Sequence, residues 1–245
     1  MSIRSTKYLI VSDLDGTLIG DEQALKLFAE WTRIHTESAN LVYATGRTFD
    51  SVVSEIRTTA LPEPRAIIGF VGTDIHAYPS GQLMAAWHRR INKNWDAGKL
   101  RKILSSHAEL ELQPEEFQSD FKVSYYLPDA ATEDIQNLRE EMLQNSIEAE
   151  VIYSSNRDLD FLPIRANKGK ASSFLASEWG IAHDRMLVCG DTGNDTALFE
   201  QGFRGVVVGN AQPELKSLIG PNIYHAKGLY AAGVLEGIEY WWSNL

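Results

Sequence analysis

Hydrophobic residues recur along the chain in two rhythms, short solid runs and stretches at a period near 3.6, and their alternation predicts the architecture. Tyr8, Leu9, Ile10 and Val11 form a solid run, read as a strand buried on both faces. Asp21 to His35 carries Leu25, Leu27, Phe28, Trp31 and Ile34 at helical spacing, behind a cap at Gly20 or Asp21. A second strand, Leu41 to Ala44, ends in Thr45, Gly46 and Arg47. The helix marked by Phe49, Val52, Val53 and Ile56 stops before Pro62 and Pro64, and Ala66 to Val71 makes a third strand. Strand, helix, strand, helix, strand implies a parallel sheet with helices on both faces and right-handed crossovers.

At Gly72 the rhythm changes. GTDIHAYPSGQLMAAWH reads as a hairpin turning at Pro79, Ser80 and Gly81. Up to Pro163 the pattern then predicts a helix (Trp95 to His107), a strand (Phe121 to Leu127), a helix (Thr132 to Asn145) and strands at Val151 to Ser154 and Leu159 to Leu162. Lys122, Ser124 and Tyr126 alternate with Val123, Tyr125 and Leu127, as in a sheet with one open face. The α/β rhythm returns with a helix from Lys168 to Trp179, the strand MLVCG and a helix starting near Asn194. Strand Gly205 to Val208, helix Gln212 to Leu218, strand Asn222 to His225 and a closing helix with Val234, Leu235, Ile238 and Trp241 complete it. The expected fold is an α/β, doubly wound parallel-sheet core over 1–84 and 164–245, with an inserted α+β domain over 85–163.

Composition narrows the partners. The 245 residues are 44% hydrophobic and carry a net charge of −10, which excludes a nucleic-acid footprint. The single Cys189 excludes an internal disulfide and, inside an apolar strand, reads as a core thiol. MSIRST leads straight into the first strand without an apolar leader, and no window reaches the length of a membrane span, so a cytoplasmic protein is expected. The histidines show no metal-ligand spacing, and Lys170 reads as a solvated helix position. Trp241 and Trp242 offer either a dimer patch or core packing, with core packing by one of them favoured; a monomer or weak dimer is expected.

Four polar groups fall at carboxyl ends of core strands or starts of core helices: Asp13 with Asp15, Thr45, Lys168, and Asp191 with Asn194 and Asp195. Singly they are an Asp-rich turn, a helix cap, a helix start and another turn. Together they share the sheet edge at which open α/β folds bind ligands, where an aspartate can attack phosphorus. Converging carboxylates repel one another unless a cation lies between them, and hard oxygen ligands suit Mg²⁺.

DLDGT, ATGR, NKG and GDTGND, in that order, resemble the haloacid dehalogenase superfamily of phosphatases over the whole chain. The insert between the second and third motifs looks like the larger α+β cap of its sugar-phosphatase branch. LDFLP, KVSYYL, VGTDIH and GNAQPEL are similar to stretches of sucrose-phosphate phosphatases. The resemblance implies Asp13 as nucleophile and Asp15 as acid, then base. It implies Thr45, Gly46, Lys168 and Asn194 around the phosphate, and Mg²⁺ held by Asp13, the backbone carbonyl of Asp15, and Asp191, with Asp195 as ligand or supporting partner. Substrate choice then falls to Arg47, Thr73, Asp74, Lys122, Tyr126, Asn156, Arg157 and Asp158, charged, amide and aromatic groups suited to sugar hydroxyls. The family tends to show His where this chain has Tyr126, and Ser-Glu where it has Thr73 and Asp74. The expected activity is hydrolysis of a disaccharide phosphate, sucrose 6-phosphate first and mannosylfructose phosphate or another sugar phosphate as the alternative. A phosphomutase takes its cap right after the first motif, whereas here Gly20 runs directly into a core helix. A non-catalytic phospho-acceptor has no use for Asp15 or for a cap.

Overall fold

Leu9, Ile10 and Val11, all fully buried, make Tyr8–Ser12 (β1) the axis of the larger sheet. The computed structural model describes residues 7–243; the MSIRST stretch, read above as lacking a leader, lies outside them. The chain builds outward on one side of β1 through α1 (Glu22–Ile34), β2 (Ala39–Ala44), α2 (Phe49–Thr58) and β3 (Ala66–Gly69), then the hairpin β4 (Asp74–Ala77) and β5 (Gln82–Leu83). Next in the chain come α3 (Ala85–Ile91), whose Trp87 and Ile91 pack in the core of the larger sheet, then α4 (Ala97–Leu104), β6 (Glu111–Leu112), β7 (Val123–Tyr126), α5 (Thr132–Gln144), β8 (Ala149–Ser154) and β9 (Asp158–Pro163). The chain then fills the other side of β1 with α6 (Lys168–Glu178), β10 (Met186–Gly190), α7 (Thr196–Phe199), β11 (Arg204–Val207), α8 (Pro213–Lys216), β12 (Ile223–His225) and α9 (Tyr230–Trp241).

The strand order is β12-β11-β10-β1-β2-β3-β4-β5, parallel from β12 through β3 and antiparallel at the hairpin. This is the expected α/β core. The direction of building reverses at β1, so a crevice opens at the carboxyl ends of β1 and β10. Ser12 is in register with Cys189 on one side and Tyr43 on the other. That register brings the loops carrying Asp13, Thr45 and Asp191 to one edge.

The second sheet, β6-β7-β9-β8, is wholly antiparallel. Val123, Tyr125, Leu159 and Phe161 pack with Leu100 and Leu104 of α4 and Ile135, Leu138 and Met142 of α5 into a separate core. Because side chains alternate along a strand, Lys122, Ser124, Tyr126, Asp158 and Asp160 fall on the opposite face.

Two elements depart from the sequence reading. The hairpin ends earlier than expected, and Ala85–Ile91 is a helix, anchored by fully buried Trp87 and Ile91 at i and i+4. Trp87 Nε1 donates to Gly72 O at 3.0 Å, and two apolar residues over so short a helix leave no legible period. Near Asn194 the chain forms a 3₁₀ turn, Gly193–Asp195, before α7 begins. Trp242 is buried, its ring 4.4 Å from that of Tyr8, so it packs as a core residue. Among the described residues no helix is long and apolar enough to cross a membrane.

Candidate active site

The site begins with how tightly the DLDGT turn folds under the β10 loop. Gly16 has φ +84°, and a Cβ there would fall 2.2 Å from Asp191 Oδ2, so only glycine fits. The Asp13 amide donates to Cys189 O at 3.0 Å, and Thr17 Oγ1 donates to Asp191 Oδ1 at 2.9 Å, which stitches the turn to the GDTGND loop. Lys168 arrives from α6, whose N-terminus is capped by the Asn167 side chain accepting from the Lys170 amide. A Cβ at Gly169 would lie 1.8 Å from Ala197 O, so glycine allows α6 to close on α7.

Lys168 is fully buried, and its Nζ donates to Asp13 Oδ1, Asn194 Oδ1 and Asp195 Oδ1, each at 2.7 Å. Asp195 Oδ2 accepts from the amides of Asp191 (2.9 Å) and Thr192 (3.2 Å), so this carboxylate braces the loop as well as the lysine. Burial pushes the Asp13 carboxyl well up from its ordinary value; Lys168 pulls it back, while Asp195 and Asp191 add to the rise. Asp191 is pushed up to about 7 by burial and Asp195, against the opposing pull of Thr17 and Lys168. Burial disfavours the Lys168 ammonium, yet Asp13 and Asp195 outweigh it and raise its pKa.

Oxygens of Asp13, Asp191 and Asp195 lie within 4.8 Å of one another. Burial and mutual repulsion both push Asp13 and Asp191 up, and a cation among them would offset that push. Three buried carboxylates converging at this distance suit a hard divalent ion with oxygen ligands.

Arg47 takes a place that the sequence reading did not foresee. Its Nε and Nη2 donate to the two oxygens of Asp15 at 2.7 and 2.5 Å, and its Nη1 donates to Glu55 Oε2 at 2.7 Å. The guanidinium expected to contact substrate is thus engaged by protein carboxylates. Lys170 is not simply solvated either: its Nζ donates to Glu150 Oε2 at 2.6 Å and Ile164 O at 2.8 Å, joining α6 to β8 of the insert.

A cleft of about 270 Å³ lies between the two sheets, floored by Asp13, Asp15, Thr45, Gly46, Arg47, Thr192 and Asn194. Its ceiling is the polar face of the smaller sheet. There Lys122, buried, pairs with Asp160 at 3.2 Å and donates to Phe117 O at 3.2 Å, while Ser124 Oγ donates to Asp160 Oδ1 at 2.5 Å. Gln113 Nε2 reaches Asp158 Oδ1 at 3.2 Å, and the Arg157 guanidinium lies 4.7 Å from the centre of the Tyr126 ring.

Three of the substrate-binding candidates are not brought to the cleft, and Lys168, Asp191 and Asp195 do not line it either. Thr73 is buried with its hydroxyl on Phe70 O, Asp74 accepts from His88 Nε2 at 2.7 Å, and Asn156 donates to Asp129 Oδ1 at 2.5 Å. Thr73 and Asp74 fail because the chain turns back after β3 into an antiparallel hairpin. Conversely, Gln113, Phe117, Ser154, Ser155, Asp160 and Thr192 line the cleft without having been singled out. Asp160 was within reach of sequence reasoning, since it stands two residues beyond Asp158 on the same strand face.

The profile of the sucrose-6F-phosphate phosphohydrolase family matches residues 6–242. The chain belongs to this family. It is 36% identical to the mannosylfructose-phosphate phosphatase of Agrobacterium fabrum, over 96% of this chain and 97% of that protein. The X-ray structure of the sucrose-phosphatase from Synechocystis sp. PCC6803, in complex with sucrose and phosphate, superposes with a TM-score of 0.92 at 36% identity, covering 97% of this chain and 98% of that one. Sucrose-phosphatase 2 of Nicotiana tabacum is 33% identical over 98% of this chain, which spans only 60% of that longer protein. At 17% identity and a TM-score of 0.68, a haloacid dehalogenase-like hydrolase from Bacillus subtilis shares the fold. As a member of the sucrose-6F-phosphate phosphohydrolase family, the chain is a phosphatase, a phosphoric monoester hydrolase of the haloacid dehalogenase superfamily.

Proposed function

We propose that this phosphatase is Mg²⁺-dependent and hydrolyses a disaccharide phosphate, sucrose 6-phosphate first, through an aspartyl-phosphate on Asp13. The observation that carries the reading is Asp13 in the floor of the cleft, held by the buried Lys168, which also bonds Asp195, and facing a ceiling of polar side chains on the smaller sheet. A buried polar face is expensive to maintain unless it has a ligand to recognise.

Asp13 attacks the phosphorus, and the ester oxygen leaves in line. Lys168 offsets charge on the equatorial phosphoryl oxygens, while Thr45 and Gly46 at the end of β2 orient them. Asp15 gives its proton to the departing sugar oxygen and then takes one from the water that cleaves the aspartyl-phosphate. Asp13, Asp191 and the backbone carbonyl of Asp15 would hold the ion, with Asp195 bracing them. When bound, Mg²⁺ neutralises the converging carboxylates and stabilises phosphoryl charge.

Lys122, Gln113, Tyr126, Arg157 and Asp158 would read the sugar. The family profile favours sucrose 6-phosphate, and the Agrobacterium relative supports mannosylfructose phosphate as the second reading. Both disaccharides contain fructose, so the choice between them rests on the other hexose. Phosphate release measured with Mg²⁺ from sucrose 6-phosphate, mannosylfructose phosphate, trehalose 6-phosphate and simple hexose phosphates tests the assignment. A site built of buried hydrogen-bonding groups should favour one fructosyl disaccharide by about a hundredfold in kcat/KM over hexose phosphates. Equal rates on all of them would refute it.

A further inference from the structure

Asp15 is a half-exposed carboxylate on a turn, and a proton donor in that position needs something to hold its direction. Among the described residues, Arg47 supplies every side-chain hydrogen bond that Asp15 makes, in the two-pronged geometry that fixes the plane of a carboxylate. Arg47 is itself tied at its base. Its amide donates to Thr45 Oγ1 at 3.2 Å, and its carbonyl accepts from the Phe70 amide at 3.1 Å. The remaining freedom lies in the long side chain, and its tip is held by Glu55 on α2, about two turns beyond the Thr48 cap.

We propose that Glu55 is a positioning residue for phosphoryl transfer: by holding Nη1 of Arg47 it aims the other two guanidinium donors at Asp15 and so fixes that carboxyl where it meets the leaving oxygen. The inference rests on the acid role given to Asp15 above. Glu55 itself does not line the cleft. It acts through Arg47. In the step concerned, the bond from phosphorus to the bridging oxygen breaks as that of Asp13 to phosphorus forms, and a proton that Asp15 has taken up from solvent passes to the bridging oxygen, leaving the ionised carboxylate that both Arg47 prongs hold.

A simple brace between α2 and the ATGR loop would look the same in coordinates, so the test must depend on the leaving group. A sugar alkoxide needs the proton; p-nitrophenolate does not. Leaving-group release in the first turnover is therefore compared for a sugar phosphate and p-nitrophenyl phosphate, using the full chain with Mg²⁺. Glu55→Met keeps the side-chain length without the acceptor and should slow sugar release about tenfold, with p-nitrophenol release within about twofold of the parent. Glu55→Gln, which keeps an acceptor for Nη1, should recover most of the loss, and Glu55→Ala, which also removes the acceptor, should show the same split as Met and replaces it as the test if the Met variant fails to fold. Asp15→Asn should show the same split at about a hundredfold or more. If Asp15→Asn slows both substrates alike, the acid role of Asp15 falls and the inference falls with it. If Asp15→Asn splits the substrates but Glu55→Met slows both equally or neither, the role of Glu55 alone is overturned.

Discussion

Replacing Lys168 by Met probes the centre of the site, because it removes one charge while nearly preserving volume. Lys168 is fully buried and makes three charge-assisted or polar hydrogen bonds at 2.7 Å, to Asp13, Asn194 and Asp195. Removing one partner of a buried ion pair costs about 3–5 kcal/mol, chiefly because the remaining charge loses its counterpart. Here the cost is partly relieved, since the Asp13 and Asp191 carboxyls are already held high and can take up protons. A net loss near 3 kcal/mol is expected. At about 2–4 °C per kcal/mol for a chain of this size, Tm should fall by about 6–12 °C. The sign with pH follows from the direction of the shifts. A carboxyl whose pKa is raised in the folded state opposes folding when ionised, and stability recovers as pH falls through the raised value. The variant's deficit should therefore be largest near pH 8 and shrink towards pH 5. Added Mg²⁺ should narrow it too. Calorimetry across pH, with Mg²⁺ or with chelator, measures all of this, and phosphate release should fall about 10²–10³-fold alongside. An unchanged Tm at pH 8, or a deficit that widens on acidification, would refute the reasoning.

Asp13→Asn should leave Tm within a few degrees and reduce phosphate release below detection; substantial Mg²⁺-dependent turnover would remove Asp13 as nucleophile. Lys122→Met should raise KM for the disaccharide phosphate and leave that for p-nitrophenyl phosphate nearly unchanged, since Lys122 lies in the ceiling and not near the phosphoryl site; equal effects on both would take it out of the sugar pocket. His107 bonds Glu109 through Nδ1 (2.8 Å) and Glu141 through Nε2 (2.7 Å), which only the doubly protonated ring can do as donor on both sides. Burial disfavours that charge, but the two carboxylates outweigh it and raise the His107 pKa. Its stabilisation is thus complete below about pH 6.5 and lost as pH rises through the folded value. His107→Gln should cost up to about 1 kcal/mol at pH 6 and almost nothing at pH 9, and an equal Tm change at both would contradict the pairing.

What the sequence could reveal depended on how local the signal was. Asp13, Thr45, Lys168 and Asp191 each follow a solid apolar run or open a periodic helix, so their place at one sheet edge follows from strand order and the rule on connections. Lys122 and Tyr126 were legible through period-2 alternation and Asp158 as a charged group before a strand, and alternation along that strand would have reached Asp160. Glu55 and Lys170 were not legible. Each stands on a helix, where a charged residue is by default solvated, and only tertiary packing shows Glu55 bonded to Arg47, or Lys170 bonded across to Glu150. Asp74 misled for the opposite reason: its motif suggested the cleft, but the antiparallel turn after β3 aims it at His88. Gln113 and Phe117 lie in a stretch with no periodicity, where pattern offers no handle.

The central claim is that phosphate passes through Asp13. Rapid quenching of a first turnover with Mg²⁺ and a sugar phosphate carrying a radiolabelled phosphoryl group tests it most directly. The account predicts transient label on the peptide that carries Asp13, lost on treatment with hydroxylamine as an acyl phosphate should be, and absent in Asp13→Asn. Label on another peptide, or full phosphate release with no labelled protein at any time, would contradict it.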